Sequence, residues 1–529
     1  MGDIRLQVRN KMHLTHLGHA GFILEVGGLR ILIDPWFFSA FLNSWFPYPD
    51  NRFLLDSVLQ QKFDYLYVSH LHEDHFDAKF LGRFPKEVAV LLPNYRSKAL
   101  GRKFSAAGFR NLIPLGHRQA ADLPGGVRAT MLLDTSHKED SGLMIEHGGF
   151  RFLDLNDCNT TLSELPGDID LLAAQFSGAM WYPNCYEYDR ETMAQKVAQV
   201  RADLMKSLLQ KCAATGAKAY IPCAGPPCFL DPALAEFNDH DSTIFPVWSD
   251  VAEKFHAAFP NTPVYPLQAG DSMCFPEFTV TEYPGKKPCS DLAEYSARRK
   301  NEWGEFYAGE HPKITAEDVK AYFEQLQERN VHLSTDINKY IRVGIDGKTW
   351  GVRLGQMAED FVIEGEDPYP PEYYLITSPR VLRAVLDGKT GWEEALLSLR
   401  VRLRRLPDVF DSRFMGLLRY GNEPAQTLQM TKESNYAETI ERDGLRMQRF
   451  CPHAGEDLTH ATICNGIIEC PRHHWKWDAK TGVCLEGGLL KLRVERADSP
   501  RGARNKNKSA RDPGDAPREV FSGDHPGSE

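Results

Sequence analysis

The chain has 529 residues, 42% of them hydrophobic and 25% charged, with a formal net charge of −10. That length fits about three domains with sizeable cores. The negative balance argues against nucleic acid as the main partner, and no apolar run reaches the ~18 residues of a membrane span. The opening "MGDIRLQVRNKMHL" has no apolar secretion-signal core, so cytoplasmic residence is expected. The eleven cysteines are an odd number without a disulfide rhythm and read as metal ligands and buried thiols.

In chain order, residues 11–34 read as short strands, with Gly27-Gly28 as a hairpin turn. Further strands are expected at 65–69 and 88–92, then a β-rich block over 127–159 with a second Gly-Gly turn. "RETMAQKVAQVRADLMKSLLQKCAATG" carries apolar residues at helical spacing and ends at Gly216. Strands interleaved with helices make residues 1–290 a layered α/β domain. From 291 to 428 the character changes. "ITAEDVKAYFEQLQERN" is an amphipathic helix capped by Thr315. "INKYIRVGIDGKTWGVRLG" is a hairpin around Asp346-Gly347, and "SPRVLRAVLDGKTGWEEALLSLRVRLRR" reads as two more helices. This middle stretch loosely resembles a sterol-carrier-like module and reads equally as a helical spacer and lid. Residues 429–497 form a small β-rich unit, and the polar, Pro/Gly-rich 498–529 is expected to be disordered.

The densest chemistry lies in "YLYVSHLHEDHFD", residues 65–77. Side chains alternate along a strand, so the turn after it lets His70 and His72 point to one place, while Asp74 and His75 reach a neighbouring one. That spacing can supply two adjacent metals. It is also the motif of the metallo-β-lactamase superfamily, which residues 11–250 resemble, "THLGHAGFILEVGGLRILIDPW" being similar to its opening strands. The resemblance implies three more ligands: His137 in "DTSHKEDSG", Asp157 in "FRFLDLNDCN" with Asp154 as the competitor, and His240 in "FNDHDST". His13, His16 and His19 fall on the first strand; His19 reads either as lining the pocket or, preferred, as packed or supporting.

A second constellation follows near the end of the chain: Cys451-Pro-His453 and, sixteen residues later, Cys470-Pro-Arg-His473. Two cysteines can hold one iron and two histidines the other, as in a Rieske [2Fe–2S] centre; a Cys2His2 zinc site is the alternative. The Pro after each Cys and the pair Trp475 and Trp477 favour the cluster. "CPRHHWKWD" resembles the oxygenase version of the motif, with His474 where that version carries glycine. The expected class is thus α/β, an αββα metallo-β-lactamase sandwich, plus a small all-β Rieske unit and a mixed helical and stranded middle.

A hydrolase needs no electrons, and zinc has no redox chemistry. Iron in the histidine-rich site changes that, because open positions on iron admit O₂ and a Rieske centre passes electrons singly. The helical D/E-x2-H-x4-H iron motif of ordinary Rieske oxygenases is not found; His70 and His75 have the spacing, but Tyr67 holds the acidic position. The combination resembles a small family of hydroxylases that act on N-acetyl sugars carried by nucleotides. Its C-terminal Cys/His unit matches the actinobacterial branch acting on UDP-N-acetylmuramic acid, a peptidoglycan precursor. In the animal branch, which acts on CMP-N-acetylneuraminic acid, that unit is N-terminal. The resemblance implies mononuclear or dinuclear iron, O₂ as co-substrate, a nucleotide-sugar substrate, and an external ferredoxin or NAD(P)H-dependent reductase, since no G-x-G-x-x-G occurs here. A homo-oligomer is compatible with it. The competing readings are a zinc-dependent phosphodiester or lactone hydrolase with a Rieske redox sensor, a purely electron-transferring protein, and the same oxygenase chemistry on another substrate. Aromatics in 34–49 and 175–190 read equally as stacking platforms for a base or sugar and as packed loops.

Overall fold

The computed structural model describes residues 11–497 apart from 135, 286–288, 335–336, 338, 346, 356–361, 365–369, 435–438, 454–455, 472–473 and 488–489. The tail 498–529, read above as disordered, and the ligand candidate His473 lie outside the described residues.

Two sheets face each other across the first core. One has eight strands in the order Thr279–Thr281, Ser272–Phe275, Met12–Gly18, Gly21–Val26, Leu29–Ile33, Tyr65–Tyr67, Ala89–Pro93 and Leu112–Leu115. Its last four strands run parallel. Ala89–Pro93 is buried throughout, as a parallel strand covered on both faces must be. The other sheet has six strands, Tyr220–Cys223, Leu171–Gln175, Phe150–Asn156, Ser141–His147, Val127–Leu133 and Ala120–Leu123. Met12, Leu14, Phe22, Leu143, Ile145 and Phe152 interlock between them. Helices Ala78–Arg83 and Ala99–Ala106 cover the first sheet, and Arg190–Thr215 and Trp248–Ala258 the second. This is the αββα sandwich expected from the sequence. The long helix begins at Asp189, whose carboxylate accepts the Thr192 N–H at 2.9 Å, and ends at Gly216 with φ +58. A left-handed residue closing a helix is where glycine costs least.

The middle region builds a five-stranded sheet, Val362–Glu364, Lys348–Leu354, Lys339–Ile345, Tyr373–Thr377 and Val401–Arg405. Thr315 caps helix Ala316–Arg329 as expected, accepting the Asp318 N–H at 3.2 Å. The hairpin pairs Ile345 with Lys348; Asp346 lies outside the described residues. The stretch read as two helices holds Pro379–Leu386 and Trp392–Leu397, but its end is a strand, Val401–Arg405, paired with Tyr373–Thr377. Val401, Leu403 and Arg405 are buried while Arg402 and Arg404 are not, a period of two that the many arginines hide.

The aromatic loops are part of the framework. Trp36, Phe41, Trp45, Trp181 and Phe245 join Trp350, Trp392, Leu396 and Leu403 in one core that crosses residue 290. Trp36, Phe41 and Trp45 are each 1% exposed, so none of the three offers a face to a ligand. The Trp45 indole N–H donates to the Leu397 carbonyl at 2.7 Å. The C-terminal unit forms two three-stranded sheets, Thr439–Arg442 with Leu445–Gln448 and Val494–Arg496, and Thr462–Cys464 with Ile467–Glu469 and Lys476–Asp478. Among the described residues, no helix is long and apolar enough to cross a membrane.

Trp45→Ala removes a shared core side chain and is expected to lower the unfolding free energy by about 3–5 kcal/mol. Denaturant titration followed by circular dichroism measures this, and a loss below about 1 kcal/mol would contradict the shared core.

Candidate metal centres

The H-x-H-x-D-H segment follows the parallel strand Tyr65–Tyr67, at the carboxyl end where α/β sheets collect ligands. Its turn closes through the His75 N–H on the His72 carbonyl at 3.0 Å. Asp77 pins the far side. One oxygen caps helix Ala78–Arg83 through the Phe80 N–H at 2.9 Å, and the other accepts the Phe37 and Phe38 N–H groups at 2.9 and 2.8 Å.

Two groups of three converge. His70, His72 and Asp157 bring ligand atoms within 4.8 Å of one another, and so do His19, Asp74 and His75. His70 Nε2 and His72 Nδ1 stand 2.8 Å apart, and His19 Nε2 is 3.1 Å from Asp74 Oδ2. Asp157 lies between the groups, Oδ2 at 3.8 Å from His70 Nε2 and Oδ1 at 3.5 Å from His75 Nε2. That placement suits a carboxylate shared by two metals. Asp154, the competitor, is fully buried, belongs to neither group, and accepts the Asn156 N–H at 3.1 Å.

The supporting contacts fix which nitrogen each ring presents. Asp34 is fully buried and acceptor-only when ionised, so at 2.8 Å it takes the His75 Nδ1–H and leaves Nε2 for a ligand. Asp34 also accepts the Ser69 N–H and hydroxyl, each at 2.7 Å. The Ser69 hydroxyl lies 2.9 Å from His70 Nδ1, which turns Nε2 of that ring toward Asp157.

Burial and charge act together on these groups. Burial, with the neighbouring His75 and His72 opposing Asp157, holds the His70 imidazole well below the usual histidine range. Burial also disfavours charge on His75, yet the carboxylates of Asp157, Asp34 and Asp74 overcome it and hold that imidazole well above the usual range. Against their own burial, Asp74 and Asp157 are lowered, in both cases most strongly by His75. Glu73 is pushed up to about 7 by burial, although the Phe41 N–H opposes the shift.

Asp74 Oδ1, His75 Nε2 and Asp157 Oδ1 are buried without a hydrogen-bond partner. Buried polar atoms are rarely left so, and a metal would satisfy them. The donors are imidazole nitrogens and carboxylate oxygens, a set that suits iron or zinc. A cavity of about 630 Å³ opens beside the first group. His70, His72 and Asp157 line it from one side and Glu393, Arg419 and Tyr420 of the middle region from the other.

Of the seven residues expected here, His70, His72, Asp74, His75 and Asp157 come together. The two groups found among the described residues do not include His137 or His240. The His137 ring is 5.4 Å from Tyr420, and His240 Nδ1 is 2.7 Å from the Phe245 carbonyl. His19 does more than the supporting part expected of it. It sits in the turn after Met12–Gly18, not on the strand, with φ +52, and this conformation aims its ring at Asp74. Its signal was the glycine before it in "LGHA". Asp34 in "LIDPW" carried no motif by itself.

In the C-terminal unit, Cys451 and Cys470 open two loops of the same design. The Cys451 N–H donates to the Glu456 carbonyl at 2.7 Å, and the Cys470 N–H to the Trp475 carbonyl at 2.8 Å. Both cysteines are buried. The His453 ring stacks on Trp475 at 3.9 Å and 18°, which sets the loops side by side. Two buried thiols and an imidazole in facing loops fit the ligands a [2Fe–2S] cluster needs. His474, in place of glycine, has φ +56, the left-handed region that glycine enters most easily. Its Nδ1 lies 3.0 Å from Glu469 Oε1, and Glu469 also contacts Lys206 of the long helix, docking the unit there.

Residues 13–206 match the beta-lactamase superfamily domain and residues 438–490 the Rieske [2Fe-2S] domain. A Rieske 2Fe-2S iron-sulfur protein of Mycolicibacterium smegmatis is 28% identical, over 92% of this chain and all of its own length. One from Mycobacterium tuberculosis has the same identity and coverage. The cytidine monophosphate-N-acetylneuraminic acid hydroxylase of Pongo pygmaeus is 24% identical, over 76% of this chain and 72% of its own. The chain therefore combines a metallo-β-lactamase domain with a Rieske domain at its C-terminus.

Proposed function

We propose that the chain is an O₂-dependent hydroxylase that inserts oxygen into the N-acetyl methyl group of a nucleotide sugar, with UDP-N-acetylmuramic acid the favoured substrate. The observation that carries this is the pairing, in one chain, of a converging His/Asp cluster with a Rieske domain, whose one-electron carrier a hydrolase would leave idle. Distant relatives named as hydroxylases of a nucleotide-linked N-acetyl sugar support the same class.

His70, His72, Asp74, His75 and Asp157, with His19, would hold the catalytic iron; Cys451, His453, Cys470 and His473 would hold the cluster. When both are bound, the iron supplies O₂ activation and the cluster supplies electrons one at a time. Asp34 keeps the His75 Nδ1 proton in place, so that ring stays in the tautomer that presents Nε2. Ser69 does the same for His70 through its hydroxyl. Glu393, Arg419 and Tyr420 of the middle region supply a wall of the cavity that opens beside His70, His72 and Asp157. Electrons would enter from an external ferredoxin or NAD(P)H-dependent reductase. His137 and His240, expected as further ligands, lie outside the two converging groups and are given no part in this reading.

Incubating UDP-N-acetylmuramate with the protein, O₂ and a reductant is expected to yield a product heavier by one oxygen atom in mass spectrometry, labelled when ¹⁸O₂ is used. Hydrolytic cleavage instead, with zinc and no iron beyond the cluster in elemental analysis, would reverse the proposal. His72→Ala is expected to keep the Rieske spectrum and reduce hydroxylation at least ~100-fold, as loss of a metal ligand should; normal turnover would move the oxygen chemistry elsewhere. Cys470→Ser is expected to abolish the Rieske visible and EPR signals while the far-UV circular dichroism of the αββα sandwich persists. Surviving signals would refute the cluster ligands.

A further inference from the structure

One short stretch of the middle region touches both centres. At one end is Glu393 on helix Trp392–Leu397, whose Oε1 lies 3.9 Å from His72 Nε2. The Nδ1 of that imidazole faces His70 Nε2 at 2.8 Å, so Nε2 is its outer nitrogen. Glu393 is 7% exposed and is gripped through both oxygens by Arg419 of helix Ser412–Tyr420. Arg419 in turn rests 5.5 Å from the Trp181 ring and 4.8 Å from Tyr420. A buried carboxylate clamped by a planar guanidinium cannot swing away from the imidazole it faces.

At the other end, the Phe410 ring lies 5.7 Å from His453 and 5.6 Å from Trp475. The Phe410 N–H donates to the Gly487 carbonyl of the Rieske unit at 2.9 Å. Between the ends runs Arg405, whose guanidinium is 5.8 Å from Phe410 and 4.9 Å from Tyr186. Tyr186 stacks on Trp181 at 6.1 Å, which returns the chain of contacts to Arg419.

We propose that residues 393–419 are a positioning platform for both metal centres: Glu393 holds the outer nitrogen of His72, and Phe410 shields the His453 side of the cluster from water. The inference rests on the reading of His72 and His453 as ligands. Metal-bound imidazoles take a carboxylate on the other nitrogen, which fixes the ring and raises its basicity. Asp34 fills that role for His75 through a 2.8 Å hydrogen bond from within the first domain; Glu393, 3.9 Å from the outer nitrogen of His72 on a helix more than three hundred residues further along, would fill it for that ring. At the cluster, solvent exposure is one of the levers on reduction potential. Water favours the more highly charged state, which for a cluster with two thiolates and two neutral imidazoles is the reduced one.

The test uses the full-length chain after chelator dialysis, with Co(II) as the probe for the first site and an EPR-monitored redox titration for the cluster. Glu393→Gln is expected to weaken Co(II) binding about 10- to 100-fold, to change its ligand-field spectrum, and to leave the cluster EPR unaltered. Phe410→Ala is expected to raise the cluster midpoint potential and leave Co(II) affinity unchanged. His72→Ala separates the layers of the argument. If it binds Co(II) like the unaltered chain, the ligand reading fails and this inference falls with it. If His72→Ala loses Co(II) while Glu393→Gln keeps full affinity, the ligand reading stands and the role of Glu393 is overturned. An unchanged potential in Phe410→Ala overturns the role at the cluster. Should Glu393→Gln fail to fold, Glu393→Asp keeps the charge beside Arg419 but withdraws it from His72, and its Co(II) affinity is read in the same way.

Discussion

The carboxylate of Asp34 is the contact on which the His/Asp site depends. It is fully buried, and it takes two hydrogen bonds from Ser69 and one from His75. Losing one partner of a buried charged network costs about 3–5 kcal/mol, so this arrangement is strongly over-determined. Ser69 is the residue before the H-x-H-x-D-H segment, and its hydroxyl also steadies His70. One acidic side chain at the end of strand Leu29–Ile33 therefore sets the start of the ligand turn and orients two of its three imidazoles. Asp77 does the corresponding work at the end of the turn, tying it to the backbone of Phe37 and Phe38. Residues 34–38 thus grip the ligand turn from both sides.

The same loop explains why the middle region is inseparable from the site. Just beyond its polar grips, it sends Trp36, Phe41 and Trp45 into a core shared with Trp350, Trp392 and Leu403. Trp392 begins the helix that carries Glu393 to the cavity wall. The cavity is therefore bounded by two regions whose relative position is fixed by a common apolar core. A lid that opens freely would have to expose these aromatics at a cost of several kcal/mol, since burial of each large side chain contributes roughly 1.5–3 kcal/mol.

What could be read from the sequence follows the range of the interactions. H-x-H-x-D-H was legible because its ligands lie within six residues and a strand-turn geometry places them. The two Cys loops were legible for the same reason, down to the unusual His474, whose left-handed backbone the glycine of the related motif would adopt more easily. Asp157, preferred over Asp154 on the family resemblance, follows the strand Phe150–Asn156 and is the one grouped with His70 and His72. The parts that escaped depend on partners far away in the chain. His19 reaches Asp74 across fifty-five positions, through a turn whose φ +52 no periodicity announces. Asp34 reads as an ordinary strand-end acid until Ser69 and His75 are beside it. The strand Val401–Arg405 was hidden because arginines sit on both its faces; Arg405 is buried against Tyr186 and Asp408, where a pattern of hydrophobic and polar letters assigns it to solvent.

The two candidate centres would hold a metal in different ways. The Cys/His loops draw mostly on their own unit: each closes on its own backbone, and His453 stacks on Trp475, with Phe410 of the middle region packed against both rings. The His/Asp site draws on strand ends, a β-turn and a distant helix, and its ligands carry opposing tendencies to ionise: His75 is driven toward charge by three carboxylates, while His70 is driven away from it by burial. A site balanced in that way has its net charge set by the surrounding acids. Imidazole and carboxylate groups bind a metal only in their deprotonated forms, and with Asp34 on Nδ1 it is Nε2 of His75, facing Asp74 and Asp157, that would bind one.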